Sequence, residues 1–497
     1  MESAGISLRA GLSKACLFLW FEVVGLTGKA ILIHLVRYHT MIKDKIKEVP
    51  GLLFVTDSME FMSSAGRRRM LEQPWMKEVE ELLREQKHVD AIREAMTNPD
   101  NAKAVNVLRH QLMQLHDIRT TLHSLHTHVL LDEVELFELK NLAYLCNISR
   151  TALSDMALGQ LFTLPDIRPV FSILDPDATG VPNFYIYDSY DARLAPIRQQ
   201  MKVADDGQMA ELLAEQNIVQ QQVIEVLCDR LLPYSEALDA ALEGMAYIDF
   251  TMAKAVLAQS WDLVMPDMSG EGHYFKALFN PRLKQHNEKV GLRYQPVDVD
   301  LSQGVTFITG ANMAGKTVLL KSVGLAQMMY QFGFPLPAGS CCLQPVDDVV
   351  FCIGDEQNEM NGLSSFASEI TRISEVLYRS QQERLLVLID EPARTTNPVE
   401  GKALVQALAT IMDSRDSVTL VTTHYSQLGL ACRRLRVKGF VEELVDTPLT
   451  AENINRFIDY SLVEDDSDEV PHEALRIAEM LSCHPDLVSS ARQFLNL

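Results

Sequence analysis

The chain has 497 residues, more than one ordinary hydrophobic core supports, so two or three domains are expected. Hydrophobic residues make up 47% and charged residues 23%, which excludes a disordered chain. The formal net charge of −22 argues against a broad nucleic-acid surface, because phosphate contacts need clustered Lys and Arg.

Residues 1–40 contain "KACLFLWFEVVGLTGKAILIHLV", which Glu22 and Lys29 interrupt before any apolar run reaches the roughly 18 residues of a membrane span. No small-residue cleavage site follows it, so it is expected to be an appended or mistranslated leader without functional weight, and no membrane partner is expected. From 41 to about 165 the texture is helical; "MKEVEELLREQKHVDAIREAM" repeats apolar residues at three- and four-residue spacing. Five prolines between 165 and 196 mark loop chemistry, and helical periodicity resumes from about 208 to 265. Residues 41–265 are thus expected to form one helical domain. Over 266–460, the β-rich runs "GVTFITG", "DVVFCIG", "RLLVLID" and "SVTLVTTHY" alternate with helical segments. That alternation predicts an α/β domain with a mostly parallel sheet. An acidic linker then leads to "ALRIAEMLSCHPDLVSSARQFLNL", two short helices around a His-Pro turn, so 461–497 are expected to be a C-terminal helical segment.

Several lesser signals have bland readings. The eight cysteines include the adjacent Cys341-Cys342 but no C-x-x-C pair, which fits neither a disulfide framework nor a zinc ribbon and points to a cytoplasmic setting. Arg67–Arg69, and Arg433, Arg434, Arg436 and Lys438, form two basic stripes that read as solvated faces. "DPDATG" at 175–180 imitates a calcium loop, but its twelfth position is Ile186 rather than Glu, so a turn is expected. His123 and His126, one helical turn apart, read as a packed or solvated face rather than a metal site.

The chemistry concentrates in "FITGANMAGKTVLL". Gly310, Ala311, Asn312, Met313, Ala314, Gly315, Lys316 and Thr317 fit G-x-x-x-x-G-K-[ST] between a strand and a helix. Such glycines let backbone N–H groups face phosphate oxygens, the lysine neutralises β/γ oxygens, and the threonine can hold Mg²⁺. "LLVLIDEP" at 385–392 is a buried strand ending in paired carboxylates. Asp390 would bind Mg²⁺, and Glu391 would orient or deprotonate an attacking water. His424, closing "SVTLVTTHY", is placed to sense the γ-phosphate. ATP and Mg²⁺ are the expected cofactors.

The order T-G-A-N-M-A-G-K-T, "GLSSFASE", "LIDEPARTTNPVEG" and "TTHY" resembles the ATPase domain of the MutS family, a branch of the ABC-type ATPases. The family's serine-rich motif falls on Gly362, Ser364, Ser365, Phe366 and Glu369, with Ser in place of Thr. The resemblance implies that Ser364 acts in trans on the γ-phosphate of a dimer partner, either a second copy or a related paralogue. Without the family, the same stretch is a helix start capped by Ser364 or Ser365. Where relatives carry Gly-Arg-Gly-Thr, this chain has Pro392, Ala393, Arg394 and Thr395, keeping the arginine and losing both glycines. The segments "FVTDSMEFMSSAGRRRMLEQPWM", "AYIDFTMAKAVLA" and "HEALRIAEMLSCHPDLVSSARQFLNL" resemble the start of the family's helical core, its return into the ATPase domain, and the dimerising helix pair.

The family's mismatch-reading members carry a Phe-x-Glu wedge domain and a DNA-gripping clamp. No wedge is expected here, and the clamp reads as reduced to the acidic "KVADDGQMAELLA". Two functions follow from the resemblance. One is a dimeric MutS-type ATPase whose lever motion serves mismatched DNA and mismatch repair, with the duplex held weakly. The other is an ATP-driven reactivating factor for an adenosylcobalamin-dependent amino-acid aminomutase. "LDPDATGVPNFYIYDSYDARL" and "IDEPARTTNP" are similar to the small MutS relatives that accompany such mutases.

Overall fold

The computed structural model describes residues 40–181, 183–268, 270, 272–311, 314–354, 365–425, 428–441, 454–465, 478 and 483–494. Residues 1–39 of the expected leader, Asn312, Met313 and Ser364 lie outside the described residues, as does most of the first helix of the expected C-terminal pair.

The first half is helical: α1 (Ile42–Glu48), α2 (Pro50–Asp57), α3 (Ser64–Leu71), α4 (Val79–Thr97), α5 (Ala102–Met113), α6 (Arg119–His126), α7 (Glu133–Asp155), α8 (Arg168–Leu174), α9 (Leu194–Met201), α10 (Asp206–Leu231) and α11 (Ser235–Trp261). Caps set several starts. Asp132 and Glu135 form a reciprocal capping box on α7, and Asp205 accepts from two amides at the head of α10. Only residues 202–205 separate α9 from α10. Asp262 closes α11 in the left-handed conformation, φ 53°.

The second half holds two sheets. The strands β1 (Tyr274–Leu278), β2 (Val297–Asp300) and β4 (Ser340–Cys342) pair antiparallel in the order β2-β1-β4. A six-stranded sheet contains β3 (Gly304–Thr309), β5 (Asp348–Cys352), β6 (Leu385–Asp390), β7 (Val418–Thr422), β8 (Arg433–Phe440) and β9 (Ile458–Glu464), in the order β5-β6-β7-β3-β8-β9. All its pairings are parallel except β8 with β9. The central strands β6, β7 and β3 are nearly wholly buried, as strands covered by helices on both faces must be. The accompanying helices are α12 (Pro281–Lys289), α13 (Lys316–Gln331), α14 (Ser365–Arg379) and α15 (Pro398–Asp413), with α16 (Pro485–Phe494) beyond.

The cores and the sheet run across the expected boundaries. One cluster, from Ala65 to Ala255, fills the helical half. However, Ile42, Leu52, Val55, Met70, Met76 and Leu82 pack with Leu320, Val323 and Leu388 beneath the sheet. The helices α1 and α2 and Met70 of α3 therefore share a core with the α/β half, while Ala65 of α3 joins the helical cluster. Helix α11 joins both clusters: Leu238 to Ala246 sit in the first, Phe250, Leu257 and Ala258 in the second. The boundary expected at 460 falls inside β9, whose pairing with β8 makes residues up to Glu464 part of the sheet. The segment 461–497 thus begins as strand and not as helix.

The lesser sequence signals differ in their surroundings: Arg68, expected on a solvated face, is largely buried and pairs with Glu72 and Asp117. Asp175 accepts from Thr179 Oγ1 (2.5 Å), the Gly180 amide (2.8 Å) and the buried Lys140 ammonium (3.1 Å), which makes "DPDATG" a turn. His126 meets a carboxylate after all, Asp239 of α11 at 2.5 Å. Among the described residues there is still no group of three or more potential metal ligands. The stripe on β8 is largely neutralised: Arg433 pairs with Glu464, and Lys438 with Asp459. Among the described residues no helix is long and apolar enough to cross a membrane.

Candidate functional site

The expected phosphate loop joins the carboxyl end of β3 to the start of α13. Two glycines carry it. Gly310 has φ 138°, and a Cβ there would stand 3.3 Å from Val437 Cβ; Gly315 has φ 73°, and a Cβ would stand 3.2 Å from the Tyr460 ring. Both backbone conformations are open to glycine and strained for other residues. Lys316 is only 4% exposed. Its ammonium donates to the carbonyls of Gly310 (2.7 Å) and Ala311 (3.0 Å), and Glu391 Oε1 stands 3.7 Å away. The loop is therefore curled around its own lysine, facing the amino end of a 16-residue helix whose dipole favours an anion.

Parallel pairing brings the carboxylates to the same edge. β6 and β7 are in register with Asp390 opposite Thr422, and β7 lies beside β3. Asp390 Oδ2 accepts from Thr317 Oγ1 at 2.6 Å and Oδ1 from Thr422 Oγ1 at 2.5 Å. Thr422 also binds the next residue, since the Glu391 amide donates to its hydroxyl oxygen (2.9 Å) and its carbonyl (3.2 Å). Sequence reasoning missed Thr422. Its signal was present in "TTHY", but only the strand register says which threonine faces the carboxylate. The donor set at this point, one hydroxyl and one carboxylate, consists of hard oxygens and fits Mg²⁺.

Beyond Asp390 the chain turns sharply. Glu391 has φ 46° and Ala393 φ 59°, left-handed values that cost non-glycine residues on the order of 1–3 kcal/mol each. Glu391 Oε2 accepts from Arg394 Nη1 at 3.2 Å, which gives a contact to the arginine kept from the family pattern. His424 follows β7, exposed, with its ring 4.4 Å from that of Tyr425. The structure thus gathers Gly310, Ala311, Ala314, Gly315, Lys316, Thr317, Asp390 and Glu391, and sets His424 at the carboxyl end of the strand between β3 and β6.

Comparison with known proteins agrees with this region. A family model described as MutS domain V matches residues 306–496. The Endonuclease MutS2 of Agathobacter rectalis is 32% identical over 283 residues, covering 56% of this chain and 34% of the relative. Its counterpart in Pelotomaculum thermopropionicum is 30% identical over 285 residues, covering 56% and 35%. That of Thermomicrobium roseum is 36% identical over 230 residues, covering 44% and 28%. The chain spans about a third of the length of these relatives. Residues 306–496 match MutS domain V, and over that stretch the chain is similar to the MutS family.

Proposed function

We propose that the chain is an ATPase whose phosphate loop is Gly310–Thr317 and whose nucleotide cycle moves the helical half. The observation that carries this reading is the convergence of Thr317 Oγ1 and Asp390 Oδ2 at 2.6 Å beside the curled lysine loop. A hydroxyl at a helix start and a carboxylate at a strand end, drawn together from residues 73 apart, are the pair that a nucleotide-bound Mg²⁺ requires. Bound ATP·Mg²⁺ would supply the scissile phosphoanhydride and the metal charge that neutralises it.

The chain's own residues then have defined tasks. Lys316 turns its ammonium from the Gly310 and Ala311 carbonyls toward β/γ oxygens. Thr317 and Asp390 hold the metal, and Thr422 keeps Asp390 aimed at it. Glu391 would orient or deprotonate the attacking water, while His424 would sense the γ-phosphate. Ser364 of a second protomer completes the site in trans, so ATP closes a dimer and hydrolysis releases it. The helical half, joined through α11, is the lever that this cycle moves.

The object of that motion is proposed from the relatives. Their name, Endonuclease MutS2, favours DNA over the alternative of a cobalamin-dependent aminomutase, for which they offer no support. The net charge of −22 and the short 202–205 connection make duplex binding weak and salt-sensitive. ATP titration of the full chain tests the core of the proposal. Lys316→Ala should abolish binding, and undiminished affinity in that variant would overturn the assigned loop.

A further inference from the structure

We propose that Glu369 and Tyr425 are positioning residues that clamp Ala393 in its left-handed conformation and thereby fix the turn carrying Glu391. Only the kinetic consequence rests on the ATPase reading; the clamp itself is a statement about this fold.

Ala393 is 1% exposed, with φ 59°. Its amide donates to Glu369 Oε1 at 2.8 Å, and its carbonyl accepts from the Tyr425 hydroxyl at 3.1 Å. Both backbone groups of one strained residue are thus held by side chains from two different elements, α14 and the segment after β7. A third element leaves room for this. On α15, a Cβ at Gly401 would lie 2.2 Å from the Tyr425 hydroxyl oxygen and 3.0 Å from the Ala393 carbonyl oxygen, so no side chain fits there.

The physical need for a clamp follows from the residue type. Glycine takes a left-handed φ freely, whereas alanine pays a steric penalty for it. Two residues upstream, Glu391 is left-handed as well, φ 46°, and Pro392 between them has its own φ confined by its ring. The turn has few ways to relax. If Ala393 reverts to a right-handed or extended conformation, the chain direction changes, and the Glu391 carboxylate leaves its place between Lys316 and Arg394. The two hydrogen bonds do here what a glycine would do by conformational freedom.

The test uses the full chain and two readouts: amide hydrogen exchange over 391–397, and steady-state ATP hydrolysis. Glu369→Ala should speed exchange of the Ala393 amide and lower kcat, each ~10-fold, the worth of one buried hydrogen bond, with KM for ATP unchanged. Glu369→Gln keeps an acceptor oxygen and should restore both. Ala393→Gly placed in the Glu369→Ala background should recover most of kcat, because glycine needs no clamp. Tyr425→Phe removes only a hydroxyl and should repeat the loss even if Glu369→Ala does not fold. Exchange unchanged by both Glu369→Ala and Tyr425→Phe would overturn the clamp. So would a failure of Glu369→Gln to rescue, or a rise in KM matching the fall in kcat. If the unaltered chain hydrolyses no ATP, the proposed function falls while the exchange measurement still decides the clamp.

Discussion

The two ends of helix α13 make opposite use of buried polar groups. At its amino end, Lys316 leans on two carbonyls, and Thr317 and Asp390 share a 2.6 Å contact, the proposed metal pair. About 24 Å away, at its carboxyl end, the protein completes the chemistry itself. Lys254 of α11, fully buried, donates to Glu85 Oε2 of α4 at 2.9 Å and to the Phe332 carbonyl at 3.4 Å. Tyr247 donates to the other Glu85 oxygen at 2.7 Å, and Gly333 leaves room for Glu85, whose Cβ would lie 3.0 Å from an added one. Gln331 locks onto Met76 and Val346 through both ends of its amide. A cation at a helix carboxyl end suits the dipole, as an anion at its amino end would. The difference teaches where α13 belongs to the fold and where, on the proposed reading, it serves a ligand.

Substitutions can break each end separately. The largest effect is expected at the amino end: Glu391→Gln should lower ATP hydrolysis by about 10²–10⁴-fold while leaving ATP bound, and size-exclusion with ATP should show a trapped dimer. A monomer with ATP bound would refute the dimer. At the carboxyl end, Glu85→Ala strands the Lys254 charge in the core and should cost ~3–5 kcal/mol in denaturant unfolding, whereas Glu85→Leu with Lys254→Met should regain most of it. Next comes His273, whose ring faces Gln327 of α13 at 3.2 Å. Burial pushes its pKa down to about 4, against the opposing Gln327 hydrogen bond. Between that value and 6.5 the unfolded chain binds the extra proton, so this contribution is complete above pH 6.5 and lost as pH falls toward 4. The loss should be about 3 kcal/mol, and His273→Gln should flatten that slope in unfolding curves taken across the range. The smallest stability effect belongs to Lys316→Ala, within about 1 kcal/mol, since no fully buried ion pair is broken there. A loss as large as that of Glu85→Ala would erase the contrast between the two ends.

Much of the amino end was legible in the sequence. The glycines at 310 and 315 and the paired carboxylates after an apolar run carry their spacing in the chain, because loop and strand end are local. The partner of Asp390 was not legible. Thr422 reaches it only through the register of two parallel strands 32 residues apart in sequence. The carboxyl end was invisible, since Glu85 and Lys254 are 169 residues apart and nothing in either helix marks them as partners. Likewise the resemblance marked two missing glycines over 392–395, but that Ala393 takes a left-handed φ emerged only with Glu369 and Tyr425 in place.

By itself the sequence determined the order of helical and α/β segments, the loop Gly310–Thr317 and its carboxylates, because periodicity and motif spacing are short-range properties of a chain. Tertiary structure alone decided that the opening helices share the sheet's core, that β9 closes the sheet past 460, and which side chains meet across long separations. The reason is that register and packing depend on which apolar faces find each other, and no window of residues contains both faces.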